Sequence, residues 1–131
     1  MAYLLDTNAV IALLNDTASK TALRARRENP GDVAISVIVT HELYYGAFRS
    51  RRAAQNAALI DALQFVVLDF DKGDARQAGE VRALLASRGT PIGAYDVLIA
   101  GQAVERNLIL VTHNTREFGR VPGLRIEDWQ A

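Results

Sequence analysis

Short apolar runs recur along the chain, and each one ends abruptly on polar residues. Tyr3-Leu4-Leu5 stops at Asp6-Thr7-Asn8, and Val33-Ala34-Ile35-Ser36 follows the breaker Asn29-Pro30-Gly31. Phe65-Val66-Val67-Leu68 stops at Asp69-Phe70-Asp71, and Leu108-Ile109-Leu110-Val111 stops at Thr112-His113-Asn114. Runs of this length bounded by turn residues read as buried strands. Between them apolar residues return at helical intervals. The spacing predicts helices over Ala9 to Leu14, Ala18 to Glu28, a segment carrying Val39, Glu42, Leu43 and Gly46, then Arg51 to Leu63, Gly73 to Ser87 and Ala94 to Arg106. Ser36 is a fitting cap for the third of these and Gly89 closes the fifth. The sixth is apolar on most faces, which predicts a central, buried helix. Leu124-Arg125-Ile126 is a candidate fifth strand, reached through a short polar turn and followed by Trp129.

Strands that alternate with helices imply a parallel sheet covered on both faces. The expectation is an α/β fold: one domain over residues 1–131, with a mostly parallel sheet of four to five strands flanked by helices. A chain of 131 residues is the usual size of one domain. Half of it is hydrophobic and 23% is charged, which supplies a core and argues against disorder.

The 15 basic and 15 acidic residues cancel, so bulk electrostatics gives no support to nucleic-acid binding unless the charge is segregated. Thirteen of the basic residues are arginine, and two groups are tight: Arg24, Arg26, Arg27 and Arg49, Arg51, Arg52. Arginine grips phosphate with two parallel hydrogen bonds, but such groups also occur as solvated helix faces. The absence of cysteine excludes disulfides and thiolate metal sites. No apolar run approaches the roughly 18 residues of a membrane helix, and Met1-Ala2-Tyr3-Leu4-Leu5-Asp6 lacks the form of a signal peptide. A soluble cytoplasmic protein is expected.

The acids fall where chemistry is expected. Asp6 ends the first strand and Asn114 follows the fourth, and in open α/β sheets the carboxyl ends of strands line the ligand crevice. Asp96 opens the buried helix. Glu42 is expected one to two turns into its own helix, with Leu43 and Phe48 helping to bury its other side. Each has a plain alternative: Asp6 as a helix cap, Asp96 as a partner of the helix dipole, Asn114 as a turn residue. Together they form a set of carboxylates without a nearby lysine, and a hard divalent cation would resolve that conflict. His41 and His113 lack metal-ligand spacing. No nucleophile elbow, Walker loop or dinucleotide motif is present. Metal-assisted hydrolysis is the chemistry left standing.

Five stretches carry a specific likeness: Leu5-Asp6-Thr7-Asn8, Ser36 to Gly46, Ile92 to Ala100, Val111 to Phe118, and Val121 to Trp129. In this order and spacing the chain resembles the VapC toxins of the PIN-domain superfamily along nearly its whole length. The resemblance implies an endoribonuclease dependent on Mg(II), with Mn(II) as a substitute, in which Asp6, Glu42 and Asp96 bind the metal and activate water. Thr7, Asn8 and Thr112 would position these groups or phosphate. Many PIN domains carry a fourth acid where this chain has Asn114, so Asn114 or Glu117 would complete the site. A homodimer, a VapB-like antitoxin that blocks the site, and a structured RNA substrate, transfer RNA foremost, are also implied. Tyr44, Tyr45 and Phe48 lie close on one helix and predict a groove for the antitoxin, with an arginine of the partner reaching the acids. Two rival readings are a silent RNA- or protein-binding module and a hydrolase of small phosphate esters. Asp6-Thr7-Asn8 disfavours the second, because it lacks the second aspartate of the haloacid-dehalogenase pattern.

Overall fold

The computed structural model describes residues 2–131; Met1 lies outside them. Five strands, β1 (Tyr3–Leu5), β2 (Val33–Ser36), β3 (Val66–Leu68), β4 (Ile109–Val111) and β5 (Arg125–Glu127), form one sheet in the order β3-β2-β1-β4-β5. Every pairing is parallel, with Leu5 in register with Ile35 on one side and Val111 on the other. Helices cover both faces of such a sheet, so its central strands need apolar residues at every position rather than at alternate ones. That is what β1, β2 and β4 supply: Leu4, Leu5, Val33, Ala34, Ile35, Leu110 and Val111 are all buried.

The edges depart from the expected pattern. In β3 only Leu68 is buried, while Val67 is 49% exposed, because this strand has a neighbour on one side alone. The fifth strand sits one residue later than its apolar pattern suggests. The backbone N–H of Thr112 donates to the carbonyl of Glu127 at 3.0 Å and sets that register.

The helices are α1 (Thr7–Asn15), α2 (Lys20–Arg27), α3 (Val37–Arg49), α4 (Ala53–Asp61), α5 (Lys72–Ser87), α6 (Ala94–Glu105) and α7 (Thr115–Phe118). α1 begins two residues before its apolar pattern does, because Asp6 caps it. The polar turn after β4 is itself helical. On α3 the inward residues are Val39, Leu43 and Ala47, four apart. Phe48, one residue past Ala47, is therefore rotated outward and is 67% exposed, so it does not help to bury Glu42 as expected. α6 is central, as its pattern predicts, with Val97, Ile99, Ala100, Gly101, Gln102 and Ala103 all buried. It touches α5 so closely that a Cβ at Gly101 would stand 2.4 Å from the Ala78 Cα, which only glycine avoids.

From β1 the chain steps outward through β2 and β3. It then returns through α5 and α6 to place β4 on the other side of β1. The connections therefore diverge between the carboxyl ends of β1 and β4, the arrangement that leaves a crevice in open α/β sheets. There the N–H of Asp6 donates to the carbonyl of Val111 at 3.1 Å. Among the described residues, no helix is long and apolar enough to cross a membrane.

Candidate active site

Asp6 leaves β1 into this crevice and is almost wholly buried. It is the helix cap that the sequence offered as one alternative: Oδ1 accepts the N–H of Ala9 at 2.7 Å, which fixes the carboxylate at the start of α1. Burial raises its pKa above the usual carboxylate value. The Thr112 hydroxyl and the Ala9 N–H work against that shift, and the charges of Glu42 and Asp128 add to it.

Asp96 occupies the first turn of α6, three residues after its cap, Gly93. A Cβ on Gly93 would come within 3.0 Å of Asp96 Oδ2, so the glycine leaves room for the carboxylate. Its pKa is pushed up to about 6, chiefly by burial and then by the charges of Glu42, Asp6 and Glu117. Glu42 is half-buried on α3, and the Thr7 hydroxyl donates to its Oε1 at 2.8 Å. Thr7 thus holds the Glu42 carboxylate in place.

Asn114 and Glu117 act as a unit. Asn114 caps α7, its Nδ2 donates to Glu117 Oε2 at 3.1 Å, and its own N–H donates to Thr112 Oγ1 at 3.0 Å. The charge that reaches Asp96 from this side is that of Glu117. Asn8 stands exposed in a cleft that Glu42, of the four acids, lines. Asp6, Glu42 and Asp96 thus repel one another and Glu117 adds to the repulsion at Asp96, while among the described residues none of the four forms a salt bridge.

Asp128 was not singled out by the sequence reading, yet its charge acts on Asp6 and its Oδ2 meets His113 Nδ1 at 3.0 Å. The signal was available, since Asp128 directly follows the carboxyl end of β5, the same placement that marks Asp6. His113 is held by this contact, on the outer side of Asp128, with its ring largely in solvent.

The arginines divide. Arg24 pairs with Glu28 at 2.8 Å and Glu127 at 3.5 Å and lies over the Trp129 ring at 5.1 Å, while Arg26 donates to the Thr17 carbonyl at 2.7 Å. Those two serve the fold. Arg49 instead lies 5.1 Å from the centre of the Tyr45 ring, and that ring walls the cleft over the acids.

Of the three aromatic residues on α3, Tyr45 lines the cleft, while Tyr44 stacks on Phe48 at 6.0 Å and hydrogen-bonds Asp61. A groove runs beside them along Leu43, Gly46 and Ala47 of α3, between Leu14 of α1 and Leu59 and Ile60 of α4. It shares Ile11 and Glu42 with the cleft over the acids, so the two are continuous.

A cation fits this chemistry. Clustered carboxylates repel, and the repulsion is relieved either by protonation or by an ion. As the side chains stand, no three Asp, Glu or His groups among the described residues close around one point. Magnesium needs no such cage: it keeps several waters and takes one or two carboxylates.

Residues 3–124 match the PIN domain profile. The chain belongs to the PIN domain family. It is 43% identical over 129 residues, 97% of each protein, to the tRNA(fMet)-specific endonuclease VapC of Shigella flexneri. It is 38% identical over 129 residues, again 97% of each, to ribonuclease VapC2 of Haemophilus influenzae. A chain in the crystal structure of DNA-bound VapBC from Salmonella typhimurium matches it with a TM-score of 0.94 and 41% identity, over 98% of both chains. This PIN domain is therefore a VapC homologue of the ribonuclease class, which displaces both the silent binding module and the phosphate-ester hydrolase. PIN-domain VapC nucleases are metal-dependent in general.

Proposed function

We propose that Asp6, Glu42 and Asp96, with Glu117 as the fourth acid, surround a Mg(II) ion, replaceable by Mn(II), which one or two of them would bind directly and the others through its waters, and that the site cleaves a phosphodiester bond in structured RNA. The observation that carries this reading is that among the described residues these four carboxylates pair with no Arg or Lys while their charges and burial raise the pKa of Asp96 to about 6. Folding alone gains nothing from that arrangement. When bound, the ion supplies charge neutralisation at the phosphate and a lowered pKa for the attacking water. Asp6 is locked in place by its cap, Thr7 aims Glu42, and Asn114 aims Glu117. Glu42 borders the open cleft and orients the attacking water, while Asn8 offers its amide to a phosphate oxygen.

The substrate to try first is tRNA(fMet), the one named for the Shigella relative. The groove between α1, α3 and α4 suits an apolar segment of a VapB-like antitoxin, and an arginine following that segment would reach Glu42 where groove and cleft join. We assign the working form as a cytoplasmic homodimer, inhibited in complex with antitoxin. The test is incubation of the antitoxin-free protein with tRNA(fMet) and total RNA in magnesium, manganese or EDTA, beside Asp6→Asn. Cleavage should occur with either metal, vanish with EDTA and fall by about 10²- to 10³-fold in the variant. Metal-dependent cleavage retained in full by Asp6→Asn would sink the assignment.

A further inference from the structure

The cleft over the acids has a volume of about 660 Å3, and three of its walls are rings: His41 and Tyr45 from α3 and Tyr95 from α6. Sequence ties each ring to an acid. His41 precedes Glu42, Tyr45 stands three residues after it on the same helical face, and Tyr95 precedes Asp96. The rings are held in place. His41 and Tyr95 meet across α3 and α6 with centroids 5.5 Å apart and planes inclined by 56°, and Arg49 packs on Tyr45. Yet they stay wet, Tyr45 at 58% and Tyr95 at 47% exposure.

Single exposed apolar side chains are ordinary on a protein surface. Three rings converging on one cleft beside the acids are not scattered. Unpaired nucleobases are the natural partners of such rings, because they offer flat faces that a duplex hides. Stacking of one base on one aromatic side chain changes affinity by about five- to hundredfold.

Resting on the ribonuclease reading of the acids, we propose that Tyr95, backed by His41, and Tyr45, backed by Arg49, stack the unpaired bases flanking the phosphate held at the acids. Stacking is open only to bases that a duplex does not hide, so the two tyrosines make cleavage depend on the bases beside the cut. Arg49, carried on the Tyr45 ring, also brings a guanidinium to the rim, where the next phosphate passes. The place of the cleft favours RNA here: Glu42 lines it, and the His41 and Tyr95 rings are the chain neighbours of Glu42 and Asp96.

The experiment measures steady-state cleavage of a tRNA(fMet) transcript in magnesium, free or annealed to an oligonucleotide that pairs the cleavage site. A third substrate lacks the bases flanking that site. Wild type is compared with Tyr95→Leu, Tyr95→Phe, Tyr45→Leu and Tyr45→Phe, each checked for an unchanged melting temperature. Wild type should cut the annealed RNA at least about a hundredfold more slowly. Each leucine variant should lose about tenfold in kcat/KM on the free transcript, each phenylalanine variant should stay within about twofold, and none should differ from wild type on the abasic substrate. Leucine variants that cut like wild type, including any that lose only inhibition by antitoxin, would overturn the proposal. So would phenylalanine variants as poor as leucine, or a wild type indifferent to annealing. A wild type that cuts no RNA in either metal would remove the ribonuclease reading and this proposal with it.

Discussion

Asp74 and Asp96 occupy equivalent places, three residues after the cap of two helices, α5 and α6, that pack against each other. Their surroundings could hardly differ more. Asp74 is buried in a complete set of donors: the Asp71 N–H at 3.0 Å, Gln102 Nε2 at 3.0 Å, and Arg106 through Nε at 3.1 Å and a terminal nitrogen at 2.8 Å. Burial alone would raise its pKa, but the bonds to Arg106, the Asp71 N–H and Gln102 outweigh that, and the pKa falls below the usual value. Asp96 is capped by a glycine without a side chain, has three acids for neighbours, and rises to about 6. The same residue at the same helical position is thus a stabilising element in one place and a liability in the other. The fold can satisfy a buried carboxylate when only stability is at stake. A liability kept beside such a solution marks a site that a ligand completes.

The comparison breaks most sharply at Asp6. Asn caps helices as well as Asp, so Asp6→Asn should keep α1 and the melting temperature while cleavage falls by about 10²- to 10³-fold, a loss comparable to removing one strong electrostatic contact to the transition state. Rate measurements beside thermal unfolding will separate the two effects.

Arg106→Met tests the other region. It leaves Asp74 buried without its cation and should cost about 2–3 kcal/mol in denaturant unfolding, while the cleavage rate of the folded fraction stays the same.

Asp96→Asn should do the opposite to stability. In the folded chain Asp96 holds its proton up to pH about 6, whereas unfolded it releases it near 3.8. The folded state thus binds more protons in that window, and the metal-free protein loses stability as pH rises through it. Asp74 contributes with the reverse sign: its stabilisation is present above 3.8 and is lost as pH falls through its depressed value. With solvent screening of a half-buried group discounted, Asp96→Asn should stabilise the metal-free protein by about 1–2 kcal/mol at pH 7.5 and flatten the profile between pH 4 and 6. Melting temperatures across that range will check it.

The smallest effect is expected at Thr7. Thr7→Val removes the hydroxyl that aims Glu42 and should slow cleavage severalfold, with a stability change below about 1 kcal/mol, as measured by kcat and melting temperature together.

How much of this was legible beforehand follows from what sets each feature. The central strands and α6 could be read because burial on all sides leaves an uninterrupted apolar record. The edges could not. The register of β5 depends on one backbone hydrogen bond from Thr112, and the apolar run at Val66 and Val67 gives no sign that its strand lies at the sheet margin. Phe48 misled because being apolar does not fix direction on a helix; its inward neighbours Val39, Leu43 and Ala47 do. Asp6 and Asp96 stood out by their places, at the end of a strand and the start of a buried helix, and Glu42 by its apolar neighbours. Asp128 was missed because the expected fifth strand ended at Ile126, one residue short of where β5 ends. The partners of Asp74 come from α6, about thirty residues away, and sequence spacing shows nothing of that pairing.

The most direct test of the central claim is to titrate Mn(II) onto the antitoxin-free protein at pH 7.5 while following thermal stability, for wild type and Asp96→Asn side by side. If the acid cluster is a cation site, wild type starts less stable and gains stability with metal, while the variant starts more stable and gains little. Equal gains in both proteins, or a variant less stable than wild type without metal, would contradict it.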